Sequence, residues 1–224
     1  MSIITFWNNE KETTGKTMSL VAIATYMAIE HNTKTLIIPT TNKKDKIKPC
    51  FFEEEKRKKI NLGIFGPNKN SLDIEAGIKG IAKIMQSNKL SPNTITNYTK
   101  VVFKDRLEIL ENNEEKENIK EIEKEENQLL NSPKTLLLIG RYDSYSKYNS
   151  KNISRYLGEK NQVLTIPYNT LFFEAAEEAN VPDLFLNYRR IKDITDKNNN
   201  FISEVKRASE NIIYRIQEIQ ANII

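Results

Sequence analysis

Residues Ser2 to Ala28 read S-I-I-T-F-W-N-N-E-K-E-T-T-G-K-T-M-S-L-V-A-I-A-T-Y-M-A. The apolar run at the start predicts a short strand. The polar stretch predicts a turn, and the segment after Gly15-Lys16-Thr17 has helical periodicity. Strand, loop and helix in this order are the setting in which a glycine-lysine-threonine run binds phosphate. Gly15 lets the backbone approach an anion, Lys16 brings a point charge to the outer phosphates, and the Thr17 hydroxyl suits Mg²⁺. A helix opening near Lys16 aims its free N–H groups and positive dipole end at the same place. The full pattern G-x-x-x-x-G-K-[ST] is not met, because Glu10 holds its first position. The alternative reading is a capped turn between a strand and a helix.

On these residues the stretch resembles the ParA/MinD family of P-loop ATPases, whose loop carries a second, early lysine as K-G-G-x-G-K-T. The aligned run is Lys11-Glu12-Thr13-Thr14-Gly15-Lys16-Thr17, with Glu12 and Thr13 where the family has glycines. The resemblance implies bound ATP and Mg²⁺. It places Lys11, Thr13, Thr14, Gly15, Lys16, Thr17 and Met18 around the phosphates, with Thr17 on the metal. Lys11 and Lys16 are the implied catalytic residues, and Lys11 is the one that reaches the partner's ATP in a homodimer formed through nucleotide.

Composition narrows the rest. A chain of 224 residues fits one domain, 1–224, and is long enough to bury a substantial core. With 29% charged residues and a mean hydropathy of −0.57, it is expected to be soluble and cytoplasmic. No run approaches a membrane span. Cys50 is the sole cysteine, which excludes disulfide scaffolds and cysteine zinc sites within one chain, and His31 is the sole histidine, which argues against serine–histidine triads and poly-histidine metal sites. A net charge of +4 permits contact with nucleic acid or acidic lipid without requiring it.

Along the chain, Leu20 to Glu30 continues the first helix, ended by His31-Asn32-Thr33. Lys34 to Ile38 predicts a short buried strand. The family has a D-x-D aspartate after this strand; Pro39-Thr40-Thr41-Asn42 stands there, and Asp45 is the nearest acid. Leu72 to Asn88 predicts an amphipathic helix. Lys100–Phe103 and Leu107–Leu110 predict two strands, either a hairpin or with one lying beside the loop strand. Asp105 between them makes a poor Walker B aspartate. Glu111 to Leu130 is nearly all charge, predicts an exposed helix and occupies the interval where the family has its Walker B strand.

Pro133 to Gly140 predicts a buried strand, with Arg141 to Lys147 a loop at its C-terminal end, where ligands bind in open α/β sheets. The family ends this strand in Asn-Arg, and Gly140-Arg141 replaces it. Asn149 to Glu159 predicts a helix and Gln162 to Ile166 the last strand. The run I-P-Y-N…E-A-A-E-E-A-N-V-P resembles the family block that wraps the base. This makes Pro167 and Asn169 candidate base contacts, with Arg141 beside them. A Pro-Asn turn capping a helix is the alternative. Arg189, Arg190, Lys192 and Lys197 form a small basic group that suits nucleic acid or acidic lipid, or is simply solvated. Phe201 to Ile219 predicts an amphipathic helix docked on the sheet rather than on a membrane.

The fold expected is α/β, a mainly parallel sheet with helices on both faces, of P-loop (SIMIBI/MinD-like) type. By family analogy it is a nucleotide-controlled dimer switch that positions cargo such as a plasmid, a conjugation or pilus apparatus, or division machinery, with slow or lost hydrolysis. A non-catalytic adaptor that keeps the fold is the second expectation, and a nucleic-acid-binding module the third.

Overall fold

Helix α1, Lys16–Glu30, is built from strong helix formers and is buried on nearly every side: Val21, Ala22, Ile23, Ala24, Thr25, Met27, Ala28 and Ile29. An all-round apolar helix belongs in an interior. It ends where His31 donates its N–H to the Met27 carbonyl, 3.1 Å away, and Asn32 turns left-handed at φ 51. Asparagine tolerates that conformation. The computed structural model describes residues 2–6, 14–39, 46–53, 80–81, 86–87, 95–110, 135–157, 163–189 and 196–221.

Two small sheets pack against α1. β1 (Thr35–Ile37), β2 (Thr99–Phe103) and β3 (Leu107–Leu110) form one, in the order β1-β3-β2. β1 and β3 run parallel, while β2 and β3 form an antiparallel hairpin turned by Lys104-Asp105-Arg106. Of the two expectations for these strands the hairpin is the one observed; neither lies beside the loop strand, because residues 2–6 form no strand and β3 pairs with β1 instead. Asp105 is an exposed turn residue with φ 61.

The second sheet is the parallel pair β4 (Leu137–Tyr142) and β5 (Val163–Pro167), joined through α2 (Ser150–Leu157). β5 buries Val163, Leu164, Thr165 and Ile166 in succession, as a strand covered on both faces does.

α3 (Thr170–Glu177), α4 (Val181–Tyr188) and α5 (Lys197–Ala221) follow, and two 3₁₀ turns, Lys48–Cys50 and Thr96–Tyr98, lie between β1 and β2 in the chain. α5 docks on β5 and α1 through Phe201, Val205, Ala208 and Ile212. Phe172, Phe185 and Phe201 meet there with ring centroids 4.9 to 6.3 Å apart. Docking within the protein is thus the observed use of its apolar face. No helix among the described residues is long and apolar enough to cross a membrane.

The chain is α/β, with three corrections to the expected layout. Among the described residues the strands form two separate sheets rather than one. Residues 2–6 are not a strand: Ile3 is 84% exposed, and only Phe6 packs on the core. An apolar run becomes a strand only when a neighbour supplies its ladder, and no described strand pairs with this one. The strand expected to end at Gly140 runs on to Tyr142, so Arg141 belongs to β4 and not to the loop after it.

Sequence reading passed over α4 and the 3₁₀ turn Lys48–Cys50, which buries Cys50 and Phe51. Of the helix expected over 72–88, residues 80, 81 and 86 are described as helical. Asp45 and residues 111–130 lie outside the described residues.

Candidate functional site at the start of α1

Gly15 precedes the first turn of α1 with φ 76 and ψ 7, a left-handed conformation that favours glycine. Its carbonyl accepts the Ser19 N–H at 2.9 Å. Gly15 itself has no side chain with which to cap the helix. The first-turn N–H groups of a helix have no partner within the helix and suit an anionic acceptor. Lys16 is exposed at the first helical position, with Thr17 and Met18 half-buried behind it.

The loop lies directly on the end of β4. A Cβ on Gly15 would stand 2.9 Å from Arg141 Cγ and 3.2 Å from the Arg141 nitrogen. A Cβ on Gly140 would stand 2.7 Å from the Thr14 carbonyl oxygen and 2.9 Å from Ser19 Oγ. Neither position has room for a side chain. Gly140 is thus a contact residue that sequence reasoning did not assign. The available signal was a glycine inside an apolar strand, which marks close backbone approach.

Arg141 is the extra residue of a bulge. Gly140 pairs with Ile166 and Tyr142 with Pro167, so Arg141 falls between ladder positions, at φ 53. Its guanidinium lies 5.8 Å from the Tyr168 ring and 5.9 Å from the Phe173 ring. Those rings are themselves stacked, with centroids 4.9 Å apart and planes at 29°. The bulge re-aims Arg141 so that its stem covers Gly15 while its charge rests on aromatic faces. Tyr168 and Phe173 were also missed.

Pro167 ends β5 at the same edge. Asn169 is buried and doubly engaged. Its Oδ1 accepts the Phe172 N–H at 2.8 Å as the cap of α3, and its Nδ2 donates to Asn198 Oδ1 at 2.7 Å. The capping alternative is the role in which the structure uses it. The structure thus gathers Thr14, Gly15, Arg141, Pro167 and Tyr168 around the C-terminal ends of β4 and β5, with Lys16 opening α1 there. Lys11 and Thr13 lie outside the described residues. Among the described residues no group of three or more His, Cys, Asp or Glu side chains is placed to hold a metal ion.

A concavity of about 210 Å³ lies toward the other end of α1, lined by Tyr26, Ile29, Glu30, Phe185, Tyr188 and Ile202 with Arg189. At 1.5 Å per residue, Tyr26 is about 15 Å along the helix from Lys16, so this hollow is no part of the phosphate-facing end. Arg189 is held there by Glu30 at 3.0 Å, which removes it from the basic group read in the sequence. Arg190 and Lys192 lie outside the described residues. Burial, reinforced by the Glu30 and Glu210 charges and opposed by Arg189, pushes the Tyr26 phenol up to about 12. Burial and Asp196 push Tyr188 up as well.

Comparison with protein-family models, with characterised proteins and with solved structures finds no match to this chain.

Proposed function

We propose that the chain is a ParA/MinD-like P-loop protein that binds ATP with Mg²⁺ at the start of α1. One observation carries the reading: a glycine-led helix N-terminus bearing Lys16 abuts the C-terminal ends of two parallel strands. Both features favour a phosphate ligand. The residues fit the anionic part of that ligand. The first-turn N–H groups and Lys16 would hold the phosphates, Gly15 would keep the backbone close, and Thr17 would offer a hydroxyl to Mg²⁺. Bound Mg²⁺ supplies charge compensation on the outer phosphates. Arg141, resting on Tyr168 and Phe173, offers a planar cationic surface beside the loop for the rest of the nucleotide.

In this reading the chain is a nucleotide-controlled switch that dimerises through ATP, with Lys11 reaching the partner's phosphates, and that positions a cargo. Hydrolysis is slow or lost. β1 leads into Ile38-Pro39 with no aspartate following it directly, and among the described residues no group of three or more His, Cys, Asp or Glu side chains is placed to hold a metal ion. The same two observations favour a second reading, an adaptor that keeps the fold and binds nucleotide without turnover.

Calorimetric titration with Mg²⁺-ATP, on wild type and Lys16→Ala, tests the proposal, with phosphate release followed on the same samples. Binding that weakens at least about tenfold in Lys16→Ala, with slow release, is the expected result. Binding without release selects the adaptor. Absence of binding in wild type overturns both.

A further inference from the structure

The loop and helix after β4 carry a second feature, separate from the start of α1. Residues 145–156 read Y-S-K-Y-N-S-K-N-I-S-R-Y, with three tyrosines, three cations and no carboxylate. The tyrosines face solvent: Tyr145 is 98% exposed, Tyr148 65% and Tyr156 90%. Single exposed aromatics are ordinary on a surface. Three within twelve residues, alternating with Lys147, Lys151 and Arg155, form a pattern.

The loop is ordered by its own hydrogen bonds, and two of them set the tyrosines. Asp143 Oδ1 accepts the Tyr145 N–H at 2.9 Å, and Ser146 Oγ accepts the Tyr148 N–H at 3.2 Å. The loop closes where the Tyr142 hydroxyl oxygen accepts the Ser150 N–H at 3.0 Å. Asn149 then caps α2 through the Asn152 N–H, and Asn152 Nδ2 donates back to the Lys147 carbonyl at 2.9 Å.

In α2, positions 151, 152, 155 and 156 share one face, because residues three and four apart are neighbours on a helix. All four are exposed, while Ile153 and Ser154 turn partly inward. Lys147 Nζ lies 4.9 Å from the Tyr148 ring. None of the three cations is ion-paired with a described residue. The result is a hydrogen-bonded loop and helix start that expose three rings and three cations within twelve residues, one ring and one cation in mutual contact.

We propose that this segment binds single-stranded nucleic acid, with bases stacking on Tyr145, Tyr148 and Tyr156 and phosphates meeting Lys147, Lys151 and Arg155. Every base has a face for a ring, so the surface needs no sequence code. Unpaired strands are favoured over duplexes because their bases are free to splay onto side chains. An acidic protein segment would satisfy the cations but leave three exposed rings without a stacking partner.

Fluorescence anisotropy with a labelled 20-nucleotide oligo-dT, and with a duplex of the same length, tests this on the full chain without ATP. Two variants are compared with wild type: Tyr145→Ala/Tyr148→Ala, and Lys147→Gln/Lys151→Gln/Arg155→Gln. Circular dichroism and thermal melting check that both are folded. Wild type is expected to bind oligo-dT more tightly than duplex. Affinity for oligo-dT should fall with salt at a log–log slope of about −2 for three phosphates. The tyrosine variant should weaken oligo-dT binding about tenfold or more, and the cation variant should flatten the slope. Three results overturn the proposal: no binding at low salt, binding that neither folded variant changes, or oligo-dT bound no better than the duplex or a poly-glutamate peptide. Lys16→Ala leaves this binding unchanged, which separates it from the nucleotide reading.

Discussion

Gly15 shows how little freedom one position has. Its φ of 76 excludes most side chains, and its Cα faces the backbone and stem of Arg141. Gly15→Ala should cost about 1–2 kcal/mol from the left-handed conformation alone. Urea denaturation reads this as a lower midpoint with an unchanged slope. The added Cβ also meets Arg141 Cγ and the Arg141 backbone nitrogen, so the measured loss should exceed that figure. Gly140 is less forgiving, because the atom 2.7 Å from its missing Cβ is the Thr14 carbonyl oxygen, part of the loop backbone. Gly15 is legible in the sequence as part of Gly-Lys-Thr. Gly140 is legible only as a glycine inside an apolar strand; what approaches it is not, because that is a loop more than a hundred residues away.

At the level of elements, local pattern carried most of what the sequence revealed. α1, the β2–β3 hairpin, β5 and α5 were readable because each has its own periodicity and its own stop; β1 was readable in place but not in burial, since Leu36 and Ile38 are exposed and only Ile37 is buried. His31-Asn32 ends α1, and Asp105 turns the hairpin. The misses share one cause. The run at 2–6 has strand composition without a ladder partner, and the bulge at Arg141 exists only in register with β5. The 3₁₀ turn at Cys50 is fixed by burial of Cys50 and Phe51 in the core, and the apolar run Pro49-Cys50-Phe51-Phe52 is too short to show a period of its own. Within the site, Gly15 and Lys16 were found by motif, whereas Tyr168 and Phe173 join Arg141 only through the fold. Asn169 ties three elements together, capping α3 at the end of β5 and bonding the start of α5. Asn169→Ala should cost about 1 kcal/mol for the cap, with a further loss from the amide partner removed from Asn198. Asn169→Ser keeps a capping oxygen and loses the amide donor without adding charge, so its thermal midpoint should fall between those of wild type and alanine.

For the molecule as a whole, alkaline stability depends on the hollow at the far end of α1. Folding holds the Tyr26 phenol neutral up to about 12, whereas in the unfolded chain it ionises near 10. Between those values the unfolded state releases the proton first, so stability is intact below pH 10 and declines as pH rises toward 12. Urea melts at pH 8 and pH 11 should show this decline in wild type and a smaller one in Tyr26→Phe, which has no proton to lose.

α1 touches β1 and β3 of one sheet, β4 of the other, and both α4 and α5. Two sheets that lean on a common axle cannot loosen one at a time without exposing that axle's apolar surface. A ligand gripping the near end of α1 would thus restrain both halves at once. Such a grip would act on β1, β3 and β4 through their direct packing on α1, and on β5 through α5, which packs on both α1 and β5.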